Sequence, residues 1–186
     1  ESSKDFVASG GRIRYGLAAV KNVGSSAIDE ILAVRASGRF TTLADFLTRV
    51  DGRKVNKKVI ESLVKCGAFD CTRSSRASLF SSIEFLMDAA QSVQKDISTG
   101  QESLFNVFPT GPSASIAPAA VKEGAAEIWT EKEALAYEKE TLGFYFSSHP
   151  MTGCGKEIEL FSSCKVEGLK ERKDDEDVTV GGIITE

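Results

Sequence analysis

Two short stretches of this sequence combine residue types suited to recognition, one of an anion and one of an apolar pocket. The first, Lys21-Asn22-Val23-Gly24-Ser25-Ser26, sets a tight turn and small residues directly before apolar positions at helical spacing. A helix starting there offers backbone N–H groups with no intrahelical acceptor, together with the positive end of its dipole. It can hold a phosphate without reading a base. The turn calls for positive φ, which Gly adopts freely and Asn tolerates better than most residues, and Asn22 stands at that place. Arg53, Lys54, Lys57 and Lys58 surround a second turn. Lys57 and Lys58 fall in the first turn of the following helix, where they oppose its dipole, an arrangement unfavourable in isolation and sensible opposite phosphate. The alternative is a plain αα-hairpin in which Gly24 only allows close packing.

The second stretch is Gln101-Glu102-Ser103-Leu104-Phe105, which follows Ser98-Thr99-Gly100. A side-chain amide followed by adjacent Leu and Phe anchors suits capture of an extended peptide in an apolar pocket of a partner. Alternatively, Leu104 and Phe105 pin this segment to the chain's own core.

Catalytic chemistry finds no comparable support. His149 is the one histidine, with no Ser or Cys arrangement around it that forms a triad, and Ser147-Ser148-His149-Pro150 reads as a turn. Cys66, Cys71, Cys154 and Cys164 stand at spacings that match no metal site and read as reduced, partly buried thiols. Asp174-Asp175-Glu176-Asp177 reads as a solvated loop. No catalytic or metal-binding residue is therefore assigned.

The elements that must position the two stretches follow from periodicity. Arg12 to Tyr15 is extended, and Leu17 to Val20 is a short apolar segment before the first turn. Ala27, Ile28, Ile31 and Leu32 share one face of a helix ended by Gly38. Leu43, Phe46, Leu47 and Val50 form a second short helix up to the turn Asp51-Gly52. Asn56 caps a third, whose Val59, Ile60, Leu63 and Val64 make a stripe ending at Gly67. These are two helix-turn-helix units in tandem. A longer helix runs from near Ser74 to about Val93, with Leu79, Phe80, Ile83, Leu86, Met87 and Ala90 inward. Between Ile97 and Ile128 the composition shifts to Ser, Gly, Pro and Ala, with Pro109, Pro112 and Pro118, as in a linker. Thr130 and Glu133 have capping-box spacing for a helix that stops at Gly143. Lys170 to Asp177 is a loop, and Val178 to Ile184 has the β-branched character of a strand.

The expected architecture is mostly α: a tandem helix-hairpin-helix region over 1–96, a Pro/Ser/Gly-rich linker carrying the peptide over 97–128, a helical connector over 129–169, and a short C-terminal β segment over 170–186. The chain's 186 residues, 41% of them apolar, can bury a core. No apolar run approaches membrane-spanning length and the N-terminus shows no signal pattern, so a cytoplasmic protein, or a piece of one, is expected, with no membrane partner. The formal net charge of -4 divides unevenly: residues 1 to 76 carry 14 Lys and Arg against 8 Asp and Glu, and residues 77 to 186 carry 9 against 19. A polyanion is drawn to the first part and repelled by the second.

The runs Ile13 to Gly24, Arg53 to Asp70 and Glu138 to Pro150 closely resemble the alpha subunit of bacterial DNA polymerase III, in the region after palm and fingers, and the resemblance covers nearly the whole chain. It implies tandem helix-hairpin-helix motifs that bind the backbone of double-stranded DNA, with Lys21 to Ser26 as the first hairpin. It also implies an internal peptide for the sliding clamp (the beta subunit) at Gln101 to Phe105, and an OB-fold beginning near Val178. The parent of such a segment is a DNA-directed DNA polymerase, a nucleotidyltransferase, that assembles with the other holoenzyme subunits. Its magnesium is held by palm carboxylates that this chain lacks, so no cofactor is expected here. In this chain Asn22 replaces the family's usual Gly. The expected role is processive replication through DNA and clamp binding. The alternative is a helix-hairpin-helix subunit of a DNA repair nuclease, which a carboxylate metal cluster would favour.

Overall fold

Gly10 and Gly11, with φ of 59° and 73°, make a two-residue turn that folds the start of the chain into a hairpin. Positive φ at both central residues matches the right-handed twist of the flanking strands, which is why glycines serve there. Strands β1 (Val7–Ser9) and β2 (Arg12–Arg14) pair antiparallel, with Val7 opposite Arg14 and Ser9 opposite Arg12. Periodicity indicated only the second strand; the Gly-Gly pair between two short alternating runs was the signal for the first.

The computed structural model describes residues 2–99 and 128–182, leaving aside the side chains of 96–99. The chain divides into two compact units, Glu1–Phe144 and Tyr145–Glu186. In the first, a 3₁₀ turn over Leu17–Ala19 precedes α1 (Ser25–Ala36), α2 (Leu43–Arg49), α3 (Lys57–Lys65), α4 (Arg76–Thr99) and α5 (Glu131–Leu142). The first hairpin therefore opens on a single 3₁₀ turn rather than a full helix.

Local chemistry explains the boundaries. Thr42 caps α2 by accepting the Asp45 N–H, and Asn56 caps α3 by accepting the Val59 N–H at 3.1 Å. Thr130 and Glu133 form the expected capping box, in which Thr130 N–H donates to Glu133 Oε2 at 2.8 Å while Thr130 Oγ1 accepts the Glu133 N–H. Gly67 ends α3 at φ 79°, and a Cβ there would strike the Arg76 guanidinium and the Asp70 carboxylate. Helix α4 continues past Val93 to Thr99, into the stretch assigned to the linker, because no Gly or Pro interrupts it before Gly100.

The stripes read from the sequence become the core: Ile28, Leu43, Phe46, Val50, Ile60, Val64 and Ile83 are all buried. Helices α2 and α3 pack against α4. Helix α5 belongs to this unit instead of a separate connector over 129–169. Glu138 on α5 is fully buried and accepts a hydrogen bond from Arg76 Nη1 at 2.9 Å, Lys65 Nζ meets Glu140 Oε2 at 2.9 Å, and Trp129 meets Phe80 edge-on with centroids 5.7 Å apart. These anchors are charged or aromatic and scattered along the chain, so periodicity alone does not find them.

In the second unit His149 caps a 3₁₀ turn, Pro150–Thr152, by accepting the Met151 N–H on Nδ1 at 3.2 Å. Helix α6 (Gly155–Phe161) and a 3₁₀ helix, Val166–Glu171, follow, so the expected loop begins only after Glu171. Residues 178–182 form no strand, which corrects the expectation for that part of Val178 to Ile184; Ile183 and Ile184 lie outside the described residues. Thr179 exchanges hydrogen bonds with Ser163, N–H to Oγ at 2.9 Å and Ser163 N–H to Thr179 O at 2.9 Å, and β-branched residues without a partner strand make no ladder.

Candidate nucleic-acid interface

Asn22 adopts φ 66°, the left-handed conformation that the turn calls for. Around it, Lys21, Gly24, Ser25 and Ser26 are exposed, while Val23 is buried and pins the turn to the core. The turn is also tied at its first two residues: Lys21 N–H donates to Thr141 O on α5 at 2.9 Å, and Asn22 Nδ2 donates to Ser62 Oγ on α3 at 3.2 Å.

The N-terminus of α1 differs from its neighbours. Gly24 sits at the N-cap without a side chain to offer, and the first turn carries no acidic residue. Helices α2, α3 and α5 are capped by Thr42, Asn56 and Thr130, and Ser75 Oγ accepts the Ser78 N–H at the start of α4. The first-turn N–H groups of α1 thus have no side-chain cap and lie at the positive end of the helix dipole.

The second turn is assembled differently. Glu30 reaches from α1 to accept the Asp51 N–H at 3.2 Å and Lys54 Nζ at 2.7 Å. The hydrogen bond from Lys54, and then that from Asp51, hold the Glu30 carboxyl below its ordinary pKa, and the bond to Glu30 raises that of Lys54. Lys57 is held by Glu84 of α4 and approaches Glu61 at 3.8 Å. Its hydrogen bond to Glu84 lowers the Glu84 pKa and raises its own. Arg53 and Lys58 are exposed, and among the described residues neither makes an ion pair, nor does Lys21. So of the four cations around the second turn, two are engaged by carboxylates and two face solvent.

The structure brings the two hairpins together through Asn22 with Ser62 and through Glu30 with Asp51 and Lys54. Sequence reasoning missed Ser62, Glu30 and Thr141. For Ser62 a signal existed, since it interrupts the apolar face of Val59, Leu63 and Cys66 at helical spacing. Gln101 to Phe105 lie outside the described residues. Among the described residues, no group of three or more His, Cys, Asp or Glu is placed to hold a metal ion. No helix there is long and apolar enough to cross a membrane.

Residues 1–79 match the family described as the helix-hairpin-helix motif. Across 190 residues the chain is 36% identical to DNA polymerase III subunit alpha of Saccharopolyspora erythraea, covering all of this chain and 16% of that protein. This chain is homologous to one segment of DNA polymerase III subunit alpha. The subunit of Vibrio cholerae is 35% identical over 94% of the chain and 15% of its own length, and that of Mycobacterium tuberculosis strain H37Rv 35% identical over 99% and 16%. The chain spans about a sixth of the length of these alpha subunits. Both hairpins, with the bare N-terminus of α1 and the Asn22 turn, fall inside the stretch that matches the helix-hairpin-helix motif.

Proposed function

We propose that the chain holds a replicative DNA polymerase on duplex DNA. The first hairpin binds a backbone phosphate through the N-terminus of α1, Arg53 and Lys58 add charge from the second, and Gln101 to Phe105 dock on the sliding clamp. The parent protein on this reading is a DNA-directed DNA polymerase working with the other holoenzyme subunits in the cytoplasm, and nucleotide transfer rests with residues outside this chain. The observation that carries the DNA part is the uncapped N-terminus of α1 behind the left-handed Asn22. Contact through backbone N–H groups and long cations reads phosphate, so no base preference is expected. The clamp part rests on the Gln-x-x-Leu-Phe pattern of Gln101 to Phe105.

Fluorescence anisotropy of the whole chain with labelled duplexes tests the first part. Weak binding that is indifferent to sequence and falls steeply with salt supports it, because each neutralised phosphate releases counterions. Absence of binding at low salt, or a marked sequence preference, refutes it. For the clamp, Leu104→Ala with Phe105→Ala removes both anchors, and anchors of this kind each cost about 2 kcal/mol or more when truncated. Lost affinity for a bacterial sliding clamp at unchanged melting temperature supports the contact. Retained affinity with lowered stability places the two side chains in the chain's own core.

A further inference from the structure

We infer that Ser62 is the positioning residue of the first hairpin: its hydroxyl holds the Asn22 amide and thereby fixes the left-handed turn that presents the N-terminus of α1. The inference rests on the reading that this hairpin binds phosphate, and adds to it the side chain that makes an Asn-containing turn serviceable.

The argument begins with the residue at the turn. Gly adopts positive φ without steric cost, whereas Asn at φ 66° carries a cost from its Cβ that a hydrogen bond of its side chain offsets. Asn22 is exposed, so no packing of its own confines it. Its one hydrogen bond to a side chain among the described residues runs from Nδ2 to Ser62 Oγ, 3.2 Å away and 40 residues later in the chain.

The same bond looks equally purposeful from the other side. Ser62 is buried on a face of α3 that it shares with buried Val59 and Leu63, where an alanine would fit and carry no polar atom. A hydroxyl in such a place is unfavourable unless it is hydrogen-bonded, and Asn22 supplies the bond. Lys21 N–H on Thr141 O and Val23 N–H on Val20 O fix the residues on each side of Asn22. Among the described residues, the side chain of Asn22 itself has only the Ser62 tether. Removing it leaves the flanking anchors in place and frees the one residue whose conformation sets the direction of the chain into α1.

A double-mutant cycle on the whole chain tests this, using Ser62→Ala, Asn22→Gly and the pair, with duplex DNA binding read by anisotropy over a salt series and melting temperature as a control. Ser62→Ala alone is expected to weaken DNA binding severalfold, with a shallower salt slope as a phosphate contact is lost. Added to Asn22→Gly, the same substitution is expected to leave affinity unchanged, because glycine needs no tether. Equal loss with and without Asn22→Gly overturns the inference and assigns Ser62 to the packing of α3. No loss from Ser62→Ala alone, while the parent chain binds DNA, overturns it as well. A parent chain that binds no duplex DNA at all overturns the proposed function and this inference with it.

Discussion

Replacing Arg76 with Met tests what holds α5 against the hairpin unit. Arg76 Nη1 donates to Glu138 Oε1 at 2.9 Å, and Nε and Nη2 donate to the two oxygens of Asp70 at 2.8 and 2.6 Å. The partners differ in environment: the Asp70 side chain is 51% exposed and that of Glu138 is fully buried. Loss of the exposed pair costs about 0–1 kcal/mol. Loss of the counterion from a buried carboxylate costs about 3–5 kcal/mol, because the charge stays desolvated and loses its partner. Glu138 keeps further interactions, which places the total near the lower end, about 3 kcal/mol, or roughly 10 °C in melting temperature for a unit of this size. Met keeps most of the side chain's apolar stem, so the change reads charge more than volume. Adding Glu138→Gln to Arg76→Met removes the stranded charge and should recover part of the loss. Thermal denaturation followed by circular dichroism measures both variants. A loss under about 1 kcal/mol in Arg76→Met, or no recovery in the double variant, would refute the reasoning.

Glu84→Gln removes the carboxylate that holds Lys57 and should tighten duplex DNA binding by a factor of a few at low salt, read by anisotropy; unchanged or weaker binding would place Lys57 away from the DNA. Glu30, Glu84 and Glu133 have lowered pKa values in the folded state, through hydrogen bonds from Lys54, Lys57 and the Thr130 backbone respectively. They contribute stability above their unfolded pKa that is lost as pH falls through the folded values, so the melting temperature should decline below about pH 4.5, less steeply in Glu30→Gln. Burial pushes the Cys66 thiol up to about 11, so at pH 8 a thiol reagent should label exposed Cys71 and Cys154 well before Cys66, as peptide mass spectrometry would read; early labelling of Cys66 would contradict its burial.

The helices of the hairpin unit were legible because each carries a local device beside an apolar stripe. Asn56 before Val59 and Ile60, Thr130 with Glu133, and Gly67 and Gly143 at the ends each act within one turn of chain. The left-handed turn at Asn22 was legible for the same reason, since Asn tolerates positive φ better than most residues. What the sequence hid is long-range. Asn22 with Ser62, Glu30 with Lys54, and Arg76 with Glu138 join residues 40, 24 and 62 positions apart, and nothing local to either partner marks the other. The C-terminal segment misled for a related reason: β-branched residues favour an extended chain, but a strand exists only where a partner supplies the ladder.

Those long-range pairs also change how the basic first part is to be understood. Several of its cations serve the fold, with Lys54 on Glu30, Lys57 on Glu84, Lys65 on Glu140, and Arg76 on Asp70 and Glu138. Three of these carboxylates, Glu84, Glu138 and Glu140, come from the acidic remainder of the chain, so part of that acidity is spent inside the unit instead of facing a partner. The charge left for a polyanion is smaller than the surplus over residues 1 to 76 suggests, and it sits on cations such as Lys21, Arg53 and Lys58 beside the two turns. On the proposed reading these cations share the phosphate contact with the uncapped N–H groups of α1, which are presented by one turn. The state of Asn22 should therefore matter to DNA binding as well as the number of surface charges.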